Sequence, residues 1–176
     1  TSLVALLSVG SLGVTLAAED ILGNVAGGLV ILSAHPFSIG DYVEVGGVAG
    51  TVHEISLNHT KLVTPDGHLV MLPNKELASS QMTNYTVLGR RRVVQRVTAS
   101  YDAPTQKVID ALVQAGTMDN VLLTPAPSAC VSSYGDSAIA YTLRVWAKTE
   151  DYWDVYFALT QRVKDVFDEQ GIAMTY

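Results

Sequence analysis

The sequence predicts an α+β membrane protein in three parts: an apolar helical segment, a small antiparallel β unit, and a layer of helices on a second sheet. Three observations predict it. Thr1 to Ala18 carries no charged residue, the apolar period changes to two after Phe37, and from Arg91 strand-like and helix-like runs follow in the order βαββα. Composition agrees. Of 176 residues, 48% are hydrophobic and 16% charged, whereas an average soluble domain carries about 25% charged residues. The parts divide at residues 1–36, 37–88 and 89–176.

The first part begins with a run that spans about 27 Å as a helix, enough to cross a hydrocarbon core of about 30 Å. Ser2, Ser8, Gly10, Ser11, Gly13 and Thr15 interrupt its Leu and Val residues. Small residues serve membrane helices where backbones approach closely, so this helix is expected to pack against protein. Glu19 and Asp20 mark a kink or a membrane exit. A second apolar stretch, Ile21 to Ala34, carries Gly23, Gly27 and Gly28 and ends at His35-Pro36, because a proline disfavours helix at the residue before it.

From Phe37, strands are expected at Tyr42 to Val45, Val48 to Ile55, His59 to Thr64 and Leu69 to Leu72. Turn signals stand at Gly46-Gly47, Asn58 and Pro65-Asp66-Gly67. Asn74 is read as the cap of a short helical turn, and Gln81 to Thr86 as a last strand. The unit resembles a small Sm-type barrel. The third part reads as strand (Val93 to Ser100), helix (Pro104 to Ala115), two strands (Ser128 to Tyr134, Ile139 to Ala147) and helix (Asp151 to Gln170). Asp102 is expected to cap the first helix. Val155, Tyr156, Leu159, Val163, Val166 and Phe167 stripe the second, and Gly171 stops it. The order suggests a ferredoxin-like layer, with a further strand beginning at Ile172 to Tyr176.

Charge narrows the function. All eleven Lys and Arg lie at or after Lys61, while Glu19, Asp20, Asp41, Glu44 and Glu54 leave the first sixty residues strongly acidic. The pI near 5.0 and the lack of a basic stripe argue against nucleic acid, since only Arg90, Arg91, Arg92 and Arg96 cluster. A lone Cys130 forms no internal disulfide and reads as a core residue in a reducing compartment. The apolar opening has no basic n-region and so does not read as a signal peptide; the chain reads as a fragment.

Catalysis finds little support. His35, His53, His59 and His68 lack paired metal-ligand spacing, Gly135-Asp136-Ser137 lacks the nucleophile-elbow pattern, and the Gly23 to Gly28 run lacks the Lys-Ser/Thr of a phosphate loop. No enzyme, metal or cofactor is expected.

Three strings carry a family resemblance. Gly23 to Leu32 (GNVAGGLVIL) followed by His35-Pro36-Phe37 resembles the Asn-x-Ala-x-Gly stretch and Arg-Pro-Phe of the small-conductance mechanosensitive (MscS) channel family. Gly40 to Val52 (GDYVEVGGVAGTV) resembles that family's β-domain opening. Asp66 to Asn74 (DGHLVMLPN) resembles its Asp-Gly-x-x-x-x-x-Pro-Asn strand. Weaker similarity, including Tyr101-Asp102 and Leu143 to Trp146, continues to the end.

The resemblance implies a homoheptamer in the cell (inner) membrane, multi-pass in the full-length protein, with residues after about 36 cytoplasmic. Its innermost helix would line the pore. Leu12 and Leu16 fall where the family places its two constricting leucine rings; residues at i and i+4 share a face, and apolar rings block ions by dewetting. The partners implied are other copies of the chain, the lipid bilayer, and permeating ions and small osmolytes released under tension in hypoosmotic shock. Glu19, seven residues after Leu12, lies only about 20° from the same face and would form a carboxylate ring at the pore mouth beside Asp20. Gly13, Gly23, Gly27 and Gly28 are assigned to helix packing and kinking, and Arg90, Arg91 and Arg92 to the vestibule wall, where they would enrich anions. The chain departs from the family at Ser8, Ser11 and Thr15, where Gly and Ala are usual, and at Asp20, where Gly is common. The alternative is a soluble oligomeric Sm-like binding or assembly module, with residues 1–35 a buried helical hairpin.

Overall fold

The computed structural model describes residues 1–174 and forms two compact units, residues 1–87 and residues 88 onward. In the first, α1 runs unbroken from Ser2 to Ala34. The expected division at Glu19-Asp20 is therefore not a break: the two apolar stretches are one helix of 33 residues, about 50 Å long at 1.5 Å per residue. The hydroxyls that interrupt it bond back to the helix, Ser8 to the Val4 carbonyl (2.8 Å) and Thr15 to the Ser11 carbonyl (2.8 Å), which hides their polarity from an apolar surrounding. His35, in the left-handed region at φ 48°, ends α1 and donates its N–H to the Ile31 carbonyl.

Five strands follow: β1 (Tyr42–Val45), β2 (Val48–Ile55), β3 (His59–Val63), β4 (Leu69–Pro73) and β5 (Met82–Asn84), with the short helix α2 (Asn74–Ser79) between the last two. They form one antiparallel sheet in the order β4-β3-β2-β1-β5. Among the described residues β4 and β5 do not pair, so the sheet stays open and no closed barrel is formed. Its inward side chains, Val43, Val45, Val52 and Leu62, bury against Ile31, Phe37 and Leu77. Across β2 and β3, Lys61 pairs with Glu54 at 2.8 Å; this hydrogen bond, and a second from Ser56, hold the Glu54 carboxyl below its ordinary pKa.

In the second unit, β6 (Arg90–Ala99), β7 (Ser128–Tyr134) and β8 (Ile139–Lys148) form a sheet ordered β6-β8-β7. The helices α3 (Thr105–Gly116) and α4 (Tyr152–Gln170, after a 3-10 turn at Thr149–Asp151) pack on each other and on one side of it. Alternation along β8 buries Ile139, Tyr141, Leu143, Val145 and Ala147 beneath them, with Val108, Leu112, Leu159 and Phe167 from the helices. Gly116 allows the close approach: a Cβ there would lie 2.9 Å from a Val145 methyl.

Three local expectations are corrected. Asp102 does not cap α3, which has Pro104 at that position; Asp102 instead bonds Ser100. Asn74 does not cap α2, for reasons given below. The strand expected from Ile172 does not form over residues 172–174, and residues 175 and 176 lie outside the described part. Gly171 does stop α4, in the left-handed conformation at φ 66°.

Candidate functional site

The candidate site of this chain is geometric: it lies in how α1 meets the β unit and in where the charges stand. The glycines of α1 decide the first. A Cβ on Gly28 would collide with the Leu57 carbonyl, one on Gly27 would lie 2.5 Å from the Asn74 carbonyl oxygen, and one on Gly23 would meet the Lys75 side chain at 2.9 Å. Gly23, Gly27 and Gly28 thus let the backbone of α1 lie directly on the β2–β3 turn and on α2. Gly13, by contrast, has open space around it.

Beneath that contact sits Asn74, wholly buried. Its side-chain carbonyl accepts from the Thr60 hydroxyl at 2.8 Å, and its amide donates to the carbonyls of Ser56 (2.8 Å) and Leu57 (3.0 Å). Both amide hydrogens and the carbonyl oxygen are engaged, which offsets the cost of burying the group. Asn74 therefore pins the turn on which Gly28 rests. The α2 N-terminus is capped from α1 instead: the Asn24 side-chain carbonyl accepts the Lys75 N–H at 3.0 Å. One turn earlier, the Asp20 carboxylate pairs with the Lys75 ammonium at 3.0 Å. Asp20 is thus engaged with the β unit, while Glu19 stays exposed and lines, with Thr15, Ala18, Leu22, Ala26 and Lys75, a surface groove of about 600 Å³.

Leu12 and Leu16 are 60% and 57% exposed, and none of the most apolar 18-residue window of α1 is buried within the chain. It is the one described helix long and apolar enough to cross a membrane.

The arginine cluster is not a linker. Arg90, Arg91 and Arg92 open β6, so alternation divides them. Arg91 turns to the helix side, its guanidinium 3.6 Å from the Tyr152 ring centre. Arg90 and Arg92 lie on the opposite face; Arg90 stands over Trp146 at 5.3 Å. Sequence reading missed Asn24, Lys75 and the buried role of Asn74, and missed that Arg144 and Lys148 of β8 join the arginines. The period-two pattern of β8 held the signal for the last pair. His35, His53, His59 and His68 remain apart, and no group of three or more His, Cys, Asp or Glu is placed to hold a metal among the described residues.

Comparison with known proteins places this architecture. Residues 20–87 match the family described as "Mechanosensitive ion channel, beta-domain", and residues 93–174 the one described as "Mechanosensitive ion channel MscS, C-terminal". The crystal structure of Helicobacter pylori MscS in its closed state is similar over all of this chain and 70% of that one, with 30% identity and a TM-score of 0.91. An MscS-family protein of Synechocystis is 32% identical over the whole chain and 60% of its own length. A small-conductance mechanosensitive channel of Methanocaldococcus jannaschii is 30% identical, with 52% of its length covered. The fold, an apolar helix followed by a β unit and an α+β unit, is that of the solved MscS structure. The chain belongs to the MscS family, and spans little more than half the length of these two curated relatives.

Proposed function

We propose that this chain is the pore-lining and cytoplasmic portion of a mechanosensitive ion channel subunit, which opens under membrane tension and releases ions and small osmolytes in hypoosmotic shock. The observation that carries it is α1: an unbroken apolar helix whose N-terminal half is exposed throughout and whose C-terminal half is seated on the β unit by glycines. Such a helix needs lipid or other copies around its first half, and transmits its movement to the β unit through its second.

The full assembly in this reading is a ring, of seven subunits, in the cell membrane, with residues after about 36 on the cytoplasmic side. Leu12 and Leu16 form the apolar constriction, Glu19 the charged mouth, and the basic residues of β6 part of the vestibule wall. The β unit is Sm-like, supported by its strand order after a leading helix. The second unit is ferredoxin-like, supported by parallel β6 and β7 with α3 between them and β8 inserted antiparallel. The work is conduction, without catalysis. The soluble-module reading needs residues 1–35 folded as a buried hairpin, and α1 is one continuous helix whose first half is exposed.

Leu16→Ser in the full-length protein tests the reading. Loss of an apolar ring removes the dewetting barrier, so patch recordings should show closed-state leak and opening at lower tension. Unchanged threshold and leak would overturn the pore assignment.

A further inference from the structure

The side of the β6-β8-β7 sheet turned away from α3 and α4 gathers an unusual share of the chain's positive charge. Register places Arg92 opposite Trp146, Val94 opposite Arg144, Arg96 opposite Thr142 and Arg90 opposite Lys148. These side chains share one face. Two independent contacts agree with that: Arg90 lies over Trp146, and the Arg144 guanidinium reaches the Cys130 thiol at 3.7 Å. Arg92 and Arg96 are both diagonal neighbours of Arg144, about 7–8 Å apart by strand geometry. They form a triangle around Val94, with Arg90 and Lys148 extending it along the sheet.

Five of the eleven Lys and Arg therefore sit on one sheet face in a chain of net charge −6. Among the described residues no carboxylate stands at a position of the three strands on that face, whose remaining positions include Thr98, Ser128, Cys130, Ala140 and Thr142. Arg90, Arg92, Arg96 and Lys148 are exposed. None of the five has an ion pair among the described residues. Like charges at such spacing repel, and the repulsion is relieved when a multivalent anion lies between them. Guanidinium forks suit phosphate oxygens, which they bind in pairs of parallel hydrogen bonds. Arg92 and Arg96, four positions apart on β6, stand about 13 Å apart by strand rise, a span that linked phosphates fill better than a single ion.

We propose that this open sheet face is a binding site for multivalent phosphate anions, of the polyphosphate or nucleoside polyphosphate class, with Arg92, Arg96 and Arg144 as its core and the Thr142 hydroxyl on its floor. The site belongs to the second unit alone and does not depend on the channel reading.

Inorganic tripolyphosphate is the probe, titrated by calorimetry into the purified full-length protein at about 0.15 M salt, where exposed charges farther than about 8 Å apart are screened. Saturable binding is expected, at one site per subunit, with sulfate binding far more weakly. Arg92→Gln together with Arg144→Gln should weaken it by about tenfold or more, and Arg162→Gln, an exposed cation of α4 on the other side of the sheet, should leave it within about twofold. If the double variant does not assemble, Arg92→Gln alone, at an exposed strand position, decides the matter by a loss of about threefold or more. Absence of saturable binding to the wild type, or equal weakening by Arg162→Gln, would overturn the proposal, the second by showing a diffuse charge effect.

Discussion

A single buried amide shows how much of this molecule is decided one side chain at a time. Asn74 makes three side-chain hydrogen bonds and its own N–H donates to the Asn58 carbonyl at 3.1 Å. Alanine in its place would strand two carbonyls and a hydroxyl beneath α1, at a cost of about 1–3 kcal/mol. Aspartate is nearly the same size, yet it presents carboxylate oxygen to the Ser56 and Leu57 carbonyls where the amide donated. We therefore expect Asn74→Asp to be at least as destabilising as Asn74→Ala in thermal or denaturant unfolding of the purified protein. Wild-type stability in either variant would show that the network contributes nothing.

At the scale of the element, α1 has two different ends. Its first half is bare, and its second is held by close backbone packing at Gly27 and Gly28, the Asn24 cap and the Asp20–Lys75 pair. The ion pair is exposed on both sides, and such pairs contribute about 0–1 kcal/mol, so the glycine contact and the cap dominate the joint. The pair has another consequence. It compensates the Asp20 charge with a Lys75 ammonium, whereas Glu19 has no ion pair among the described residues. In the proposed ring, Glu19 would be the carboxylate left to attract cations, since helical geometry puts it almost in line with Leu12. Glu19→Gln should shift the reversal potential toward anions in a salt gradient, and Asp20→Asn should shift it less. Equal reversal potentials for wild type and Glu19→Gln would place the filter elsewhere.

For the whole molecule, the exposed apolar surface of α1 is the feature that a lone chain cannot keep in water. Leu3, Leu6 and Val9 are 76%, 78% and 72% exposed, on a helix whose small residues allow close neighbours at Gly10 and Gly13. A closed ring covers one side of each helix with its neighbours and leaves the lumen and lipid the others. Native mass spectrometry of the full-length protein should give one cyclic species, of seven subunits. Monomers and dimers alone would exclude the ring.

Much of this was legible in the sequence because it rests on local periodicity. The long apolar run announces a helix, and the switch to period two announces strands. Pro36 and Gly171 mark stops that the structure keeps at Ala34 and Gln170. Seven of the eight strands fall at or within a residue or two of their expected bounds for the same reason. β6 is the exception in a revealing way: it begins at Arg90, three residues before Val93, because pairing with β8 extends through Arg92↔Trp146 to Arg90↔Lys148. That extension alone decides that Arg91 turns to the helices while Arg90 and Arg92 join Arg144, since a one-residue change of register exchanges the faces. The joint between α1 and the β unit was likewise beyond local reading. Asn24 and Lys75 are 51 positions apart and Asp20 and Lys75 are 55. Whether Asn74 caps a helix or locks a turn depends on what lies over it. By itself the sequence determined most of the elements, their order and the family. Only the tertiary structure decided which polar groups meet, because that depends on packing between segments far apart in the chain, for which no spacing within either segment carries a signal.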